Sequence, residues 1–201
     1  EQRIENGQVQ RVSLPLSNHG SGYTVKSTLS KGFYELGLKT SFLVLLNISK
    51  AEQISGGQRL PYQYRLMRLE PKVIWTPNRH WETSYQTDIR YGGNKIGERT
   101  RLAPLWNVTQ QVQLSYIFSP IEASLSVDHY HNDVNEDQSV NAVFADFSVS
   151  WKSGRWQITT TATNLFDKRT YAYTQYASLE SYTSWVRIRP REFLVAIRYQ
   201  L

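Results

Sequence analysis

The chain has 201 residues, no cysteine, a formal net charge of +6 and a pI near 9.5. The missing thiols exclude a disulfide framework and a thiolate metal site, and the longest apolar run, Phe42 to Leu46, falls far short of the about 18 residues of a membrane helix. Lys and Arg are scattered over turns, loops and polar strand faces rather than gathered in one run, which speaks against nucleic acid as a partner.

Aromatic residues make up 13% of the chain, and one-sided runs rich in Thr, Val and Tyr argue for β-structure throughout. Glu1 to Gly7 is polar and without pattern. From Gln8 on, alternation predicts about ten strands. The first sets Val12, Leu14 and Leu16 on one face and ends in a loop, Asn18 to Gly22. The second opposes Tyr23, Val25 and Leu29 to Thr24, Lys26, Thr28 and Ser30, with a tight turn expected at Lys31-Gly32. In the third, Tyr34, Leu36, Leu38, Phe42, Val44 and Leu46 face away from Glu35, Lys39, Ser41 and Asn47; a long polar loop, Ser49 to Leu60, follows. The fourth opposes Met67, Leu69, Val73 and Trp75 to Arg68, Glu70 and Lys72, before a turn at Thr76 to Arg79.

The fifth alternates without error, Trp81, Tyr85, Ile89 and Tyr91 against Glu82, Ser84, Gln86, Asp88 and Arg90. After a loop from Gly92 to Arg101, the sixth sets Trp106, Val108, Val112, Leu114, Tyr116 and Phe118 against Asn107, Thr109, Gln111, Gln113 and Ser115. Ser119-Pro120 turns the chain into the seventh strand, Ile121, Ala123, Leu125 and Val127 against Glu122, Ser124, Ser126 and Asp128. The acidic loop Asn132 to Asp137 leads to the eighth, Val143, Ala145, Phe147, Val149 and Trp151 against Asp146, Ser148 and Ser150. A hairpin at Ser153-Gly154 gives the ninth, Trp156, Ile158 and Ala162 against Gln157, Thr159, Thr161 and Thr163. The last strand opposes Phe193, Val195, Ile197, Tyr199 and Leu201 to Glu192, Ala196, Arg198 and Gln200.

Connections alternate short and long, and aromatic residues flank each short turn: Phe33 and Tyr34, Trp75 and Trp81, Tyr116 and Phe118, Trp151 and Trp156. Alternate turns of an up-and-down sheet lie at one end, so these residues form a ring at one level, an aromatic girdle. The reading is an all-β, antiparallel, up-and-down transmembrane barrel whose polar faces line a lumen; Glu82, Asp88, Arg90, Gln111, Gln113, Glu122, Asp128, Asp146 and Arg198 are the lumen-lining candidates. A mean hydropathy of −0.50 is compatible with this, because barrel strands keep half their residues in a polar lumen. A soluble ligand-binding barrel would show the same alternation with the apolar face inward.

Two stretches carry chemistry. Asp128-His129-Tyr130-His131-Asn132-Asp133 has metal-like spacing in His129, His131 and Asp133, and Asp128 with His129 suggests a hydrolase pair, so a small barrel enzyme is the alternative function. Neither is the favoured reading: no metal site, no cofactor and no catalysis are expected. The loop from Tyr171 to Trp185 offers Tyr171, Tyr173, Tyr176, Tyr182 and Trp185 as stacking surfaces for a ligand. In Asn164-Leu165-Phe166-Asp167, Asn164 and Asp167 can bond nearby backbone as the strand leaves the bilayer.

The run Asn164-Leu165-Phe166-Asp167-Lys168, the aromatic loop, Arg189-Pro190-Arg191 and the final alternating strand together resemble the C-terminal end of TonB-dependent outer-membrane receptors, especially those of Bacteroidetes type. The likeness is close over the last forty or so residues and general before them. It implies a barrel of about 22 strands with a plugged lumen, of which 1–201 would be the C-terminal segment without its plug domain. It implies import of a scarce nutrient, and as partners the TonB complex reached through that absent plug, outer-membrane lipid and lipopolysaccharide, and a surface lipoprotein. The start at Glu1 without a signal peptide is expected of a mature chain or a fragment, and Leu201 stands where such barrels usually end in phenylalanine.

Overall fold

The computed structural model describes residues 2–5, 8–11, 20–55, 58–97, 100–101, 104–135, 137–176 and 181–200. Its strands are β1 (Gln2–Glu5), β2 (Gln8–Arg11), β3 (Ser21–Phe33), β4 (Leu38–Ser55), β5 (Gln58–Asn78), β6 (Trp81–Ile96), β7 (Thr100–Arg101), β8 (Leu105–Phe118), β9 (Ile121–Asp133), β10 (Ser139–Ser153), β11 (Trp156–Thr163), β12 (Thr170–Tyr176), β13 (Ser181–Arg187) and β14 (Glu192–Tyr199). Nine of them form one antiparallel meander in the order β3-β4-β5-β6-β8-β9-β10-β11-β14, with β7 adding two pairs at the end of β6. β1 pairs with β2, and β12 with β13, in separate two-stranded ladders. Among the described residues β3 and β14 do not pair, so the sheet is open and does not itself close into a barrel.

Strand parity follows the sequence pattern across the whole sheet. Register carries Val25, Leu46, Met67, Tyr91 and Trp106 across five strands on one face, and Gln113, Ser126, Asp146 share the other. Trp81, Phe147 and Ile197 lie on the apolar face and are 45%, 42% and 65% exposed. That face is bare along both edge strands: Val25 and Leu29 on β3, Phe193 and Val195 on β14 are all exposed. Among the described residues the buried apolar side chains are Leu105 and four alanines, Ala142, Ala145, Ala162 and Ala172, and no large side chain is fully buried. The sheet therefore encloses no core of its own; its backbone groups are satisfied by the ladder and its apolar face is left uncovered.

Several turns differ from expectation. The first lies at Tyr34–Leu36 with Gly37, not at Lys31-Gly32, because the β3–β4 ladder runs on to Phe33 opposite Leu38. Tyr34 and Leu36 accordingly belong to the turn rather than to a strand face. Gly37 sits at φ 61, and its carbonyl accepts the Thr76 N–H at 2.8 Å. A Cβ there would run into the Thr76 carbonyl oxygen; neither condition holds at Gly32. The Ser49 to Leu60 stretch is not a loop over most of its length, since β4 runs to Ser55 and β5 starts at Gln58. Polar residues continue the pairing there because cross-strand backbone bonds do not depend on apolar alternation. Likewise β6 reaches Ile96 through what reads as the start of a loop, and the aromatic loop folds as the β12–β13 hairpin. The expected first strand, Val12 to Leu16, lies outside the described residues.

Gly37→Ala will destabilise the fold by on the order of 2 kcal/mol, since it adds a strained left-handed residue and a backbone clash. Gly32→Ala, in the same hairpin, will cost less than half of that. Denaturant unfolding of the two variants beside the parent checks the difference.

Candidate functional site

Side chains on the polar face bond to one another across strands. Arg68 on β5 reaches Asp88 on β6 with Nε and Nη2, both at 3.0 Å, and also pairs with Glu70. Arg90 closes on the same Asp88 at 2.7 Å. Further along, Lys152 meets Glu122 at 3.0 Å, Ser124 meets Ser148 at 3.0 Å, and Gln157 and Thr159 both donate to Ser150. Gln111 sits opposite Asp128 by register. By register Glu82 sits opposite Ser115, Gln113 opposite Ser126 and Arg198 opposite Gln157. All nine residues read from the sequence as lining a lumen thus share one face.

At the far end of this face from the short turns, β11 ends in a clasp centred on Asn164. Its backbone N–H donates to Asp146 Oδ1 at 2.8 Å, and its Nδ2 donates to the carbonyls of Lys168 and Arg189, both at 2.8 Å. Its Oδ1 accepts the Lys168 N–H at 2.9 Å. Asn164 and Asp167 both adopt φ 51, a left-handed conformation that Asn and Asp tolerate better than most residues. Asp167 Oδ1 accepts the Arg191 N–H at 2.9 Å and Oδ2 accepts Arg169 Nη2 at 2.9 Å. The Arg191 N–H, and secondarily the Arg169 guanidinium, hold the Asp167 carboxyl below its ordinary pKa. The backbone bonding expected of Asn164 and Asp167 is therefore present, and it ties the two ends of the long excursion together.

Between those ends the β12–β13 hairpin leans back over the polar face. Asn132, 4% exposed, donates from Nδ2 to the Tyr171 hydroxyl at 2.9 Å, and Thr174 Oγ1 donates to the Val134 carbonyl at 3.2 Å. Ala172 beside them is fully buried. Tyr171 packs edge-on to Tyr130 at 5.2 Å and Phe144 at 6.5 Å, and burial raises its phenol pKa. Tyr173 lies 5.9 Å from Tyr171, whereas Trp185 is 69% exposed. The side chains of Tyr176 and Tyr182 lie outside the described residues. Beneath the hairpin opens a cavity of about 620 Å³, walled by Asp128, Tyr130, Phe144, Asp146, Tyr171 and Glu192 and bounded by the return segment Ile188, Arg189 and Pro190.

The histidine stretch is divided by strand alternation. Asp128 faces the cavity, while His129 on the opposite face bonds Gln110 Oε1 through Nδ1 at 3.2 Å, so the two do not form an acid–imidazole pair. His131 bonds Asn141 Oδ1 at 2.9 Å and lies 3.4 Å from Asp133, whose Oδ2 accepts the Trp106 N–H. No group of three or more His, Asp or Glu among the described residues is arranged to hold a metal.

The aromatic residues that flank the short turns lie together at one end of the sheet. Phe33 and Trp75 flank Leu38 in register, Trp81 packs on Tyr116 at 4.6 Å, Tyr116 stacks on Phe118, and Trp156 packs on Tyr199 at 4.8 Å. Trp151 lies opposite Ile121 and Ile158. Tyr34, in its turn, is 94% exposed. A second aromatic level, unanticipated from the sequence, occurs at the other end, where Tyr91 packs on Trp106 at 4.5 Å. Comparison with protein-family models, curated proteins and solved structures found no match.

Asn164→Ala removes three side-chain bonds, each worth about 0.5–1.5 kcal/mol net. It will loosen the 164–191 excursion by about 2–4 kcal/mol, read as faster proteolysis and amide exchange there with β8 to β10 unchanged. Because pairing lowers the folded pKa of Asp167, its contribution is complete above the unfolded carboxyl pKa and fades as pH falls through the folded one. Protection of the Arg191 amide will therefore persist through the mildly acidic range and be lost in strong acid. Asp167→Asn will remove that acid step.

Proposed function

We propose that this chain forms part of the wall of an outer-membrane β-barrel, in a receptor of the TonB-dependent kind that imports a scarce nutrient. The observation that carries the reading is the continuous apolar face, exposed across nine strands and backed by a face of paired charges and amides. Water would penalise such a face heavily, at about 25 cal/mol per Å²; a bilayer would not. The dimensions fit as well. Twelve residues separate Trp106 from Phe118 on β8, about 40 Å along a strand, and a tilt of about 40° brings that close to the roughly 25 Å apolar band of outer-membrane barrels. Short turns at one end and longer excursions at the other agree with periplasmic and external sides.

In this reading lipid and lipopolysaccharide cover the apolar face, a plug reached by TonB occupies the lumen, and a surface lipoprotein meets the long excursions. The imported nutrient belongs to the siderophore, cobalamin, glycan or peptide classes that the sequence resemblance implies. A soluble barrel reading would need the apolar face to turn inward, and an enzyme at the outer rim would need the Asp128–His129 pair that strand alternation separates.

Val112 lies midway along β8 on the apolar face and Gln113 beside it on the polar face. Val112→Arg will cost about 2–4 kcal/mol of folding stability in vesicles, the penalty of a cation at the bilayer midplane, while Gln113→Arg will be nearly silent. Membrane fractionation will find the parent chain with the outer membrane, resistant to alkaline extraction. Equal effects of the two substitutions, or a parent chain recovered in the soluble fraction, would sink the proposal.

A further inference from the structure

We infer that the cavity beneath the β12–β13 hairpin binds a small organic cation, an ammonium or guanidinium group carried on an aromatic or alkyl body. At about 620 Å³ the cavity falls in the size range of small-molecule sites. Its walls combine two chemistries. Tyr130 and Phe144, ring centroids 5.8 Å apart, stand on the face that carries the charged side chains, and with Leu194 they give the cavity an apolar side. Asp128, Asp146 and Glu192 bring three carboxylates against the single guanidinium of Arg189.

These carboxylates are only partly satisfied by the fold. Asp146 holds the Asn164 N–H. Asp128 Oδ1 is shielded from solvent and has no hydrogen-bond partner, and Glu192 makes no ion pair among the described residues. Asp128 and Glu192 both line the cavity and neither has a cationic partner among the described residues, so a ligand there meets carboxylates the fold leaves uncompensated. A metal ion is not the fitting donor, since no three acidic or histidine side chains among the described residues are grouped to hold one. An organic cation meets the carboxylates with N–H donors and the ring faces with its charge and body. This deepens the importer reading, on which it rests only for the ligand's role as cargo.

The test is calorimetric titration of the full chain, purified folded in detergent, with 2-phenylethylammonium, with neutral 2-phenylethanol and with anionic 3-phenylpropanoate. Saturable binding of the ammonium is expected, at least ~10-fold tighter than the alcohol, the value of one charge-assisted hydrogen bond. Asp128→Asn should weaken it ~10-fold or more, and Glu192→Gln, a near-isosteric change at the half-buried first residue of β14, should weaken it by a smaller but measurable factor. Binding of the alcohol or the anion as tight as that of the ammonium, no ammonium binding at millimolar concentration, or full affinity in Glu192→Gln would overturn the inference. None of these outcomes depends on where the protein resides, so membrane fractionation tests the importer reading separately.

Discussion

The structure depends on one constraint: an unbroken antiparallel ladder in which every second side chain must face the same way. Across nine strands the register keeps the two faces apart, save for a one-residue shift between Trp75 and Asn78 where β5 nears its turn into β6. Its one central gap, at Glu70-Pro71 between β5 and β6, coincides with a proline that has no N–H to give. Since no large side chain is fully buried among the described residues, the sheet is held by backbone bonds and by whatever covers its apolar face. That is the opposite of a soluble sandwich, where two apolar faces meet in a dry layer.

Polar and apolar surfaces then take different parts. The polar face gains rigidity from shared charges, Asp88 held between Arg68 and Arg90 and Glu122 held by Lys152. The apolar face has aromatic pairs near both ends, Trp81 with Tyr116 and Tyr91 with Trp106, and aliphatic residues between. The candidate site lies at neither face's centre but where the β12–β13 hairpin folds back onto β9 and meets Asn132.

Much of this could be read from the residues, because a period of two is the one pattern that a strand cannot disguise. Apart from β7, which falls in the expected loop, the strands from β5 to β11 kept the parity their sequence announced, and the nine charged or amide positions fell on one side. Where the chain turns was less readable. Lys31-Gly32 looks like a hairpin turn, but only Gly37 sits at a left-handed angle against the Thr76 carbonyl, a tertiary fact. The length of β4 and β5 was hidden for a related reason, since pairing beyond the apolar region is enforced by the partner strand alone. The cavity did leave a trace: Tyr130 between Asp128 and Asn132 breaks the otherwise polar parity of β9, and Phe144 stands two residues from Asp146 on the same face. Their meeting with Tyr171 required the hairpin's path, which no local pattern encodes.

The Asn164 clasp has a consequence for how such a protein can diversify. By joining Asn164 to the Arg189 carbonyl across 25 residues, it isolates the intervening segment from the strands on either side. Closure entropy rises slowly with length, about 0.6 kcal/mol for each doubling. New peptide can therefore be grafted between those two anchors, longer or of altered chemistry, while β11 and β14 keep their alignment. Variation in that segment is thereby uncoupled from the architecture that carries it.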